Sequence, residues 1–114
     1  MIKPDNRQRL RHILEPVGKI EFYLQGFDEE KFRQDEKTLS AVVWQLAVIG
    51  ESVANLTRDL RNANPQVAWN KISGTRNHLI YGYFSIDFEI VWDTTQNNLP
   101  KLKTEIEKIL ENLS

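Results

Sequence analysis

The sequence predicts an all-α bundle of four long helices plus one or two short ones, folded as a single domain over residues 1–114. Three observations support this prediction. A chain of 114 residues fits one compact domain. About 40% of the residues are hydrophobic, including three Trp and five Phe, which is enough to build a core. Apolar residues recur at helical spacing, whereas the alternating pattern of strands is nearly absent.

The first half of the chain is expected to form three helices. Apolar residues recur from about Asn6 to Leu24, although Pro16 should kink or split that helix. The acidic residues of Phe27–Glu30 are typical of the first turn of a second helix. The longest helix is expected from Thr38 to about Arg61, where Leu, Val and Ile form one continuous stripe.

The second half follows a helix-breaking run that ends at Pro65. A fourth helix is expected from about Val67 to Ile80. Another helix should start near Ser85–Asp87 and close at Asn97–Pro100, where Pro100 is well placed as the first residue of a last helix. Apolar residues give that last helix a buried face: Leu102, Ile106, Ile109, Leu110 and Leu113.

Composition excludes several classes of protein. The chain contains no cysteine, so it has no disulfide framework, thiolate metal site or cysteine nucleophile. His12 and His78 lie far apart and lack the spacing of a zinc site, so we expect no metal and no cofactor. The longest nearly uncharged stretch, Thr38–Gly50, is too short to cross a bilayer, and the charged N-terminus does not resemble a secretory signal. We therefore expect a cytoplasmic protein. Its net charge of −1 means that nucleic-acid binding would need a local basic patch.

One arginine falls on the apolar face of the expected fourth helix. With about 100° of rotation per residue, Arg76 projects between Ile72 and Trp69 in the middle of that face. Burying an unpaired guanidinium is prohibitively costly, and this group does not lose its proton. Arg76 must therefore meet a carboxylate such as that of Glu51, face a subunit interface or bind an anionic ligand.

Polar and basic residues crowd around this arginine. Hydrogen-bonding groups come from Asn77, His78, Tyr81 and Tyr83, and further positive potential from Lys71, Arg58 and Arg61. Such a set is suited to phosphate binding, because the planar fork of an arginine matches phosphate oxygens. A structural ion pair, or an arginine that reaches solvent, remains the simpler interpretation.

Several segments, taken together in their order and spacing, resemble a known family. They are Arg11–Glu15, Ala47–Glu51, Pro65–Trp69, Ile72–Phe84, Ile90–Trp92 and Leu99–Pro100. Over nearly its full length the chain resembles the HepT-like toxins of the HEPN superfamily, the ribonuclease half of two-gene pairs with a minimal nucleotidyltransferase antitoxin. The resemblance implies an all-α HEPN-type bundle that is the toxin of a toxin–antitoxin pair.

The resemblance also implies the site. It implies metal-independent RNA cleavage at a cleft between the protomers of a homodimer, with Arg76 as the family arginine and Asn77 as its polar neighbour. Tyr81 stands where the family has its catalytic histidine. Tyr83 matches the tyrosine that the antitoxin can modify with AMP. Three further residues are candidates for supporting roles: His78, Glu51 and Lys71.

Tyr81 is a departure from the family motif that bears on activity. Attack by the ribose 2′-hydroxyl needs a proton acceptor, and it needs positive charge at the transition state, which Arg76 can supply. Tyrosine accepts protons poorly, since a reference pKa of about 10 leaves roughly one in a thousand ionised at pH 7. We therefore expect an inactive or impaired enzyme.

Three accounts of Tyr81 remain open: an engineered substitution that keeps a toxic ribonuclease expressible, a natural loss of activity, or a modified mechanism through His78 or Tyr81. His78 lies three residues too early to be an obvious substitute. On one straight helix Arg76 and Tyr81 would be about 140° apart, too far to address one phosphate. Two copies of the motif across a two-fold axis would solve this, so we expect a homodimer with the fourth helices near its interface.

Two other functions remain open beside the ribonuclease. One is a non-catalytic module that binds RNA or the antitoxin in the same cleft, and the other is a structural helical dimer. The aromatic residues Trp44, Trp69 and Trp92 are interpreted as core or interface anchors, and Phe22 and Phe88 as core. His12 is expected at the surface.

Overall fold

A computed structural model describes residues 5–75, 80–81 and 85–113. Its elements are α1 (Asn6–Tyr23), α2 (Glu29–Gln34), α3 (Glu36–Ala54), α4 (Arg58–Ala63), α5 (Trp69–Thr75), β1 (Ile80–Tyr81), β2 (Ser85–Ile86), α6 (Phe88–Asp93), a π-helical turn (Thr94–Asn98) and α7 (Leu99–Asn112). The predicted all-α bundle is confirmed. The helix count was wrong, because the described residues hold three helices of 14 to 19 residues and four of six or seven.

The core lies between α1, α3 and α7. Helix α3 packs against α1 and α5, and α1 also contacts α7. The residues buried at the centre of this layer are Leu10, Ile13, Val17, Ile20, Val42, Ile49, Val53 and Ile106. No helix in the described residues is long and apolar enough to cross a bilayer.

Helix α1 is continuous through Pro16, so the proline does not split it; a kink at Pro16, the other expected effect, stays a prediction. A proline inside a helix removes one backbone hydrogen bond and costs about 3 kcal/mol or more. Pro16 is buried between Ile13 and Ile20 on the face that packs against the rest of the core. Burial of these neighbours stabilises the helix enough to offset that cost.

The longest helix ends earlier than predicted. It stops at Ala54, and α4 begins separately at Arg58, so the expected continuous helix to Arg61 was wrong. Thr57 has extended backbone angles, and its hydroxyl accepts a hydrogen bond from the backbone N–H of Leu60 at 3.2 Å. Such a side-chain bond offers the backbone an alternative to a continuing helix. Leu56, in the turn, stays buried and preserves the apolar stripe across the break.

The fourth helix was also predicted too long. Helix α5 covers seven residues and ends at Thr75, whereas Ile80 and Tyr81 are extended and pair antiparallel with Ile86 and Ser85. β-Branched and aromatic residues such as these favour extended backbone over helix. The predicted extension of the helix to Ile80 was therefore wrong. The angle of about 140° expected between Arg76 and Tyr81 on a single helix no longer applies.

The predicted starts of α2 and α6 are confirmed by their caps. The carboxylates of Asp28 and Asp87 each accept a hydrogen bond from a backbone N–H in the first turn of α2 and α6. Asp5 and Gln8 form a reciprocal capping box at the start of α1. Pro100 lies in the first turn of α7 but is its second residue, because the helix begins at Leu99 and not at Pro100 as predicted. The preceding helix was expected to end in a break at Asn97–Pro100. This was wrong, because α6, the π turn and α7 follow one another without a gap.

Helix α2 holds α6 in place through an aromatic cluster. Phe32 is completely buried, and its ring centroid lies 5.4 Å from that of Phe88 and 5.7 Å from that of Trp92. The guanidinium of Arg33 lies over the Phe88 ring at 4.1 Å and donates to Glu89 at 2.6 Å. This hydrogen bond is the main cause of the raised pKa of Arg33. The cluster thereby positions α6 and the π turn that follows it.

Three large apolar side chains of the described residues are exposed: Phe22, Trp44 and Leu113. Leu113 was expected on the buried face of the last helix, and that expectation was wrong, because its side chain is 38% exposed. Phe22 is 69% exposed and Trp44 is 68% exposed, so the prediction that Phe22 belongs to the core was wrong. Trp69 is buried, and Trp92 and Phe88 pack against the core while remaining partly exposed. A role of Trp44 at an interface stays a prediction.

Replacing Thr57 by alanine is expected to lower the free energy of unfolding by about 1 kcal/mol, because the first turn of α4 loses its cap. The midpoint of thermal unfolding should fall by about 4 °C. Thr57→Ser keeps the hydroxyl and should lose little. Equal midpoints for the two variants would show that the hydroxyl does not stabilise α4.

Candidate active site around helix α5

Helix α5 leads directly into the motif that the sequence analysis identified. It ends at Thr75, the residue immediately before the arginine of the motif. Four predicted site residues lie outside the described part of the chain, and their roles stay predictions: Arg76, Asn77, His78 and Tyr83. Tyr81 is described through its backbone alone, in β1 opposite Ser85. The structure therefore describes the helix that ends immediately before the motif, and the surface around that helix.

A buried tryptophan fixes α5 relative to α4. The indole N–H of Trp69 donates to the backbone carbonyl of Asn64 at 2.9 Å and to that of Arg61 at 3.2 Å. Trp69 is 6% exposed, and its neighbour Val67 is 3% exposed. The amide of Asn64 in turn donates to the carbonyl of Leu60 at 3.0 Å. These bonds satisfy the carbonyls at the end of α4 and hold the connection between the two helices in one conformation.

Three adjoining depressions surround α5. The first is a small cavity of about 100 Å³ between α3, α5 and the start of α7. Its wall is mainly apolar and includes Leu46, Ile49, Ile72, Leu99 and Leu102. Polar groups also line it: Lys71, Thr94, Asn98, Lys101 and Glu105.

The second depression is an open groove of about 680 Å³ between α4 and α5. Three cationic side chains line it: Arg58, Arg61 and Lys71. These three residues were expected to lie near Arg76, which is outside the described residues, so their closeness to Arg76 stays a prediction. Because the chain as a whole carries a net charge of −1, this groove is a local concentration of positive charge.

The third depression lies on the other side of α5, against the π turn. It is lined by Asn70, Lys71, Gly74, Ile90, Asp93, Thr94 and Asn98. Lys71 therefore borders all three depressions. Among the supporting residues that the structure describes, Lys71 lies on α5, five residues before Arg76 in the chain, and its supporting role stays a prediction.

The π turn contributes polar residues that the sequence analysis missed. Thr94 and Thr95 are buried, and their hydroxyls donate to the backbone carbonyls of Ile90 at 2.7 Å and Trp92 at 2.8 Å. π-Helical turns within helices occur frequently at functional sites. The signal in the sequence was the polar run Thr94–Asn98, of which only Asn97 and Asn98 were interpreted, as part of the segment that ends a helix.

The other two predicted polar residues lie on α1 and α3. Glu51 is exposed near the end of α3, the helix against which α5 packs. Its pairing with Arg76 stays a prediction. His12 is exposed, as expected, and borders a groove with Arg9, Ser52 and Asn55, away from the three depressions around α5.

Comparison with known proteins identifies the family. The family model described as ribonuclease HepT-like matches residues 13–109, which include α2 to α6, most of α1 and α7, and the whole motif. The chain belongs to the ribonuclease HepT-like family. The HEPN-type bundle expected from the sequence is therefore confirmed, together with the family that the motif indicated.

Curated relatives of this HepT-like chain are similar over nearly their full length. The "Putative RNase MJ0127" of Methanocaldococcus jannaschii is 40% identical, covering 99% of this chain and 93% of its own. The "Probable ribonuclease HepT" of Thermococcus cleftensis is 32% identical, covering 95% and 98%. The "Putative RNase TTE0752" of Caldanaerobacter subterraneus subsp. tengcongensis is 33% identical, covering 92% and 94%. No solved structure matches the chain.

Proposed function

We propose that this HepT-like protein is the toxin component of a type II-like toxin–antitoxin pair and a metal-independent endoribonuclease whose activity is impaired by Tyr81. The observation that carries the proposal is the basic surface around α5. Arg58, Arg61 and Lys71 line a groove on the helix that ends one residue before Arg76. Membership of the ribonuclease HepT-like family supports RNA as the substrate.

The proposed chemistry needs no group beyond the side chains of the motif. The 2′-oxygen of a ribose attacks the adjacent phosphorus, and the bond from that phosphorus to the 5′-oxygen of the next nucleotide breaks. The 2′-hydroxyl proton passes to an acceptor, and the departing 5′-oxygen takes up a proton. Arg76 stabilises the negative charge that develops on the phosphate oxygens, and Asn77 adds a hydrogen bond.

The residue at the acid–base position decides the rate. A histidine there titrates near neutral pH and can both accept and donate a proton. A tyrosine with an ordinary pKa of about 10 is almost wholly protonated at pH 7 and accepts the 2′-hydroxyl proton poorly. Tyr81 in place of the histidine therefore leaves electrostatic stabilisation by Arg76 but removes most of the proton transfer.

The proposal includes three partners. A second copy of the chain completes the site, because a composite cleft brings the arginine of one protomer towards the acid–base position of the other. The second partner is RNA. The third is a minimal nucleotidyltransferase antitoxin that silences the toxin by transferring AMP to the hydroxyl of Tyr83. We place the pair in the cytoplasm, where RNA substrates are available.

The second candidate function is a non-catalytic HEPN module that binds RNA or the nucleotidyltransferase partner. Tyr81 favours it, since this residue removes the proton acceptor while leaving the arginine of the motif in place. The basic groove between α4 and α5 fits either function. The two differ in one property, which is whether restoring the acid–base residue restores cleavage.

The test compares the unaltered protein with Tyr81→His, both purified without antitoxin, on labelled total RNA in buffer without divalent metal. The ribonuclease proposal predicts that Tyr81→His cuts RNA and that the unaltered chain cuts it far more slowly. If neither protein cuts any RNA, yet both bind it with an affinity that falls steeply with salt, the binding module takes its place.

A further inference from the structure

The groove between α4 and α5 is lined by cationic side chains, and hydrogen bonds join the two helices that form its wall. On α4, Arg58, Arg61 and Asn62 follow helical spacing of three and four residues, which places them on one face. All three line the groove. Opposite them, Asn70 and Lys71 extend from α5. The wall between the two helices is fixed by the indole of Trp69 through its two backbone hydrogen bonds.

The charge of the groove has one sign. Among the described residues that line it, three are cationic and none is acidic. Asp59, the acidic residue of α4, is not part of the lining. Asn62 and Asn70 add neutral hydrogen-bond donors and acceptors. Guanidinium and ammonium groups with neutral amides, free of carboxylates, match the phosphate oxygens of a polyanion.

The lining also indicates which part of a nucleic acid the groove would contact. Trp69 is the aromatic residue of the lining, and it is 6% exposed, so its ring is not available for a base to stack on. Contacts to phosphates position a nucleic acid without reading its sequence, whereas stacking and contacts to base edges read the bases. The groove therefore has the chemistry for the backbone of an RNA and lacks an exposed ring for its bases.

The position of the groove connects it to the motif. Lys71 lines the groove and lies five residues before Arg76 in the chain. The same residue borders the depression on the other side of α5, next to Gly74. An RNA strand held along α4 is thereby directed towards the end of α5, where the motif begins.

We propose that Arg58 and Arg61 form a sequence-independent binding site for the phosphodiester backbone of the RNA, beside the scissile phosphate. This inference rests on the proposed function for its substrate class. It assigns to α4 the task of holding RNA that the motif cuts. Arg58 and Arg61 are positioning residues, since they contact the RNA away from the bond that breaks.

The experiment measures RNA binding by the unaltered chain and by Arg58→Gln/Arg61→Gln at several salt concentrations. The probes are two labelled single-stranded RNAs of different sequence, each of about 20 nucleotides, longer than the roughly 4–16 that one small single-strand-binding domain covers. At about 0.1 M salt the double variant should bind about tenfold more weakly. The slope of log affinity against log salt should fall by about 0.7 for each lost phosphate contact, hence by about 1.4 for both.

The matched control removes the same charge elsewhere. Lys37 at the start of α3 and Lys108 near the end of α7 are exposed and line none of the three depressions. Lys37→Gln/Lys108→Gln should bind RNA nearly as well as the unaltered chain. Equal affinities and slopes for the two double variants would overturn the proposal, as would a loss confined to one RNA sequence. Thermal unfolding of each variant checks that the fold is kept.

The failure of this inference is distinguishable from the failure of the proposed function. If Tyr81→His cuts RNA and the α4 variants bind it normally, the ribonuclease stands and the groove proposal falls. If the α4 variants lose RNA binding and Tyr81→His cuts nothing, the groove binds RNA in a non-catalytic module. A loss of binding to an acidic partner protein, with RNA binding unchanged, would also overturn the groove proposal.

Discussion

Tyr81→His is expected to cleave RNA about 10²- to 10⁴-fold faster than the unaltered chain, the range that general acid–base catalysis typically supplies. The reason is that a histidine exchanges its proton near neutral pH, whereas nearly every tyrosine at pH 7 keeps its proton. The rate is measured under single-turnover conditions, so that product release does not mask the chemical step.

Two controls separate this gain from a change in binding. Tyr81→Phe removes the hydroxyl and keeps the ring, so it should be as slow as the unaltered chain or slower. The rate of Tyr81→His should vary with pH around the reference pKa of histidine, about 6.5, while RNA affinity changes little. If histidine and phenylalanine at this position give equal rates, position 81 has no role in proton transfer.

Phe32→Ala is expected to lower the free energy of unfolding by about 3–5 kcal/mol, the cost of truncating a fully buried phenylalanine. The loss combines the buried area of the ring with its contacts to Phe88 and Trp92. Since domains of this size are stable by about 5–15 kcal/mol, the variant should be barely folded at 37 °C. Urea unfolding, monitored by circular dichroism, measures the change.

Phe22→Ala provides the matched control. The same side chain is truncated, but Phe22 is 69% exposed on α1, so the free energy of unfolding should change by about 0.5 kcal/mol or less. Comparable losses at the two positions would contradict the aromatic cluster as the anchor of α6. An intact α6 matters for the site, because the π turn that follows it forms one wall of the third depression.

The helix starts could be predicted because their signals are local. Asp28 and Asp87 precede their helices and cap them through a bond to a backbone N–H in the first turn, a rule that needs no knowledge of the rest of the fold. The break after Ala54 was missed, because the apolar stripe runs on through Leu56 and Leu60, both buried. At this point the hydrogen bond from the backbone N–H of Leu60 to the Thr57 hydroxyl starts a new helix, although the spacing of apolar residues alone predicts that α3 continues.

Tertiary packing explains the other errors. Pro16 was expected to disrupt α1, but its burial within the packed face keeps the helix continuous. Phe22 was expected inside on the basis of residue type, and its position on α1 leaves it exposed. Hydrophobic type alone therefore does not determine which face of a helix a large residue occupies.

The site was predictable in part. The sequence indicated that Lys71, Arg58 and Arg61 could lie near Arg76. The structure shows that these three residues line one groove, and their distance from Arg76 stays a prediction. The sequence did not indicate Asp93, Thr94 and Asn98 as the wall opposite α5. Their approach depends on the long-range packing of α2 against α6, which no local pattern encodes.

The central claim is that the arginine of the motif makes this fold a ribonuclease once its acid–base residue is restored. The most direct measurement compares the RNA cleavage rates of three proteins: Tyr81→His, Tyr81→His/Arg76→Ala and Tyr81→His/Arg11→Ala. The last is the control, because Arg11 is an exposed arginine on α1. We predict a loss of at least about 10²-fold for Arg76→Ala, the typical effect of removing one donor to a developing oxyanion, and no loss for Arg11→Ala. Equal rates for all three proteins would contradict the account.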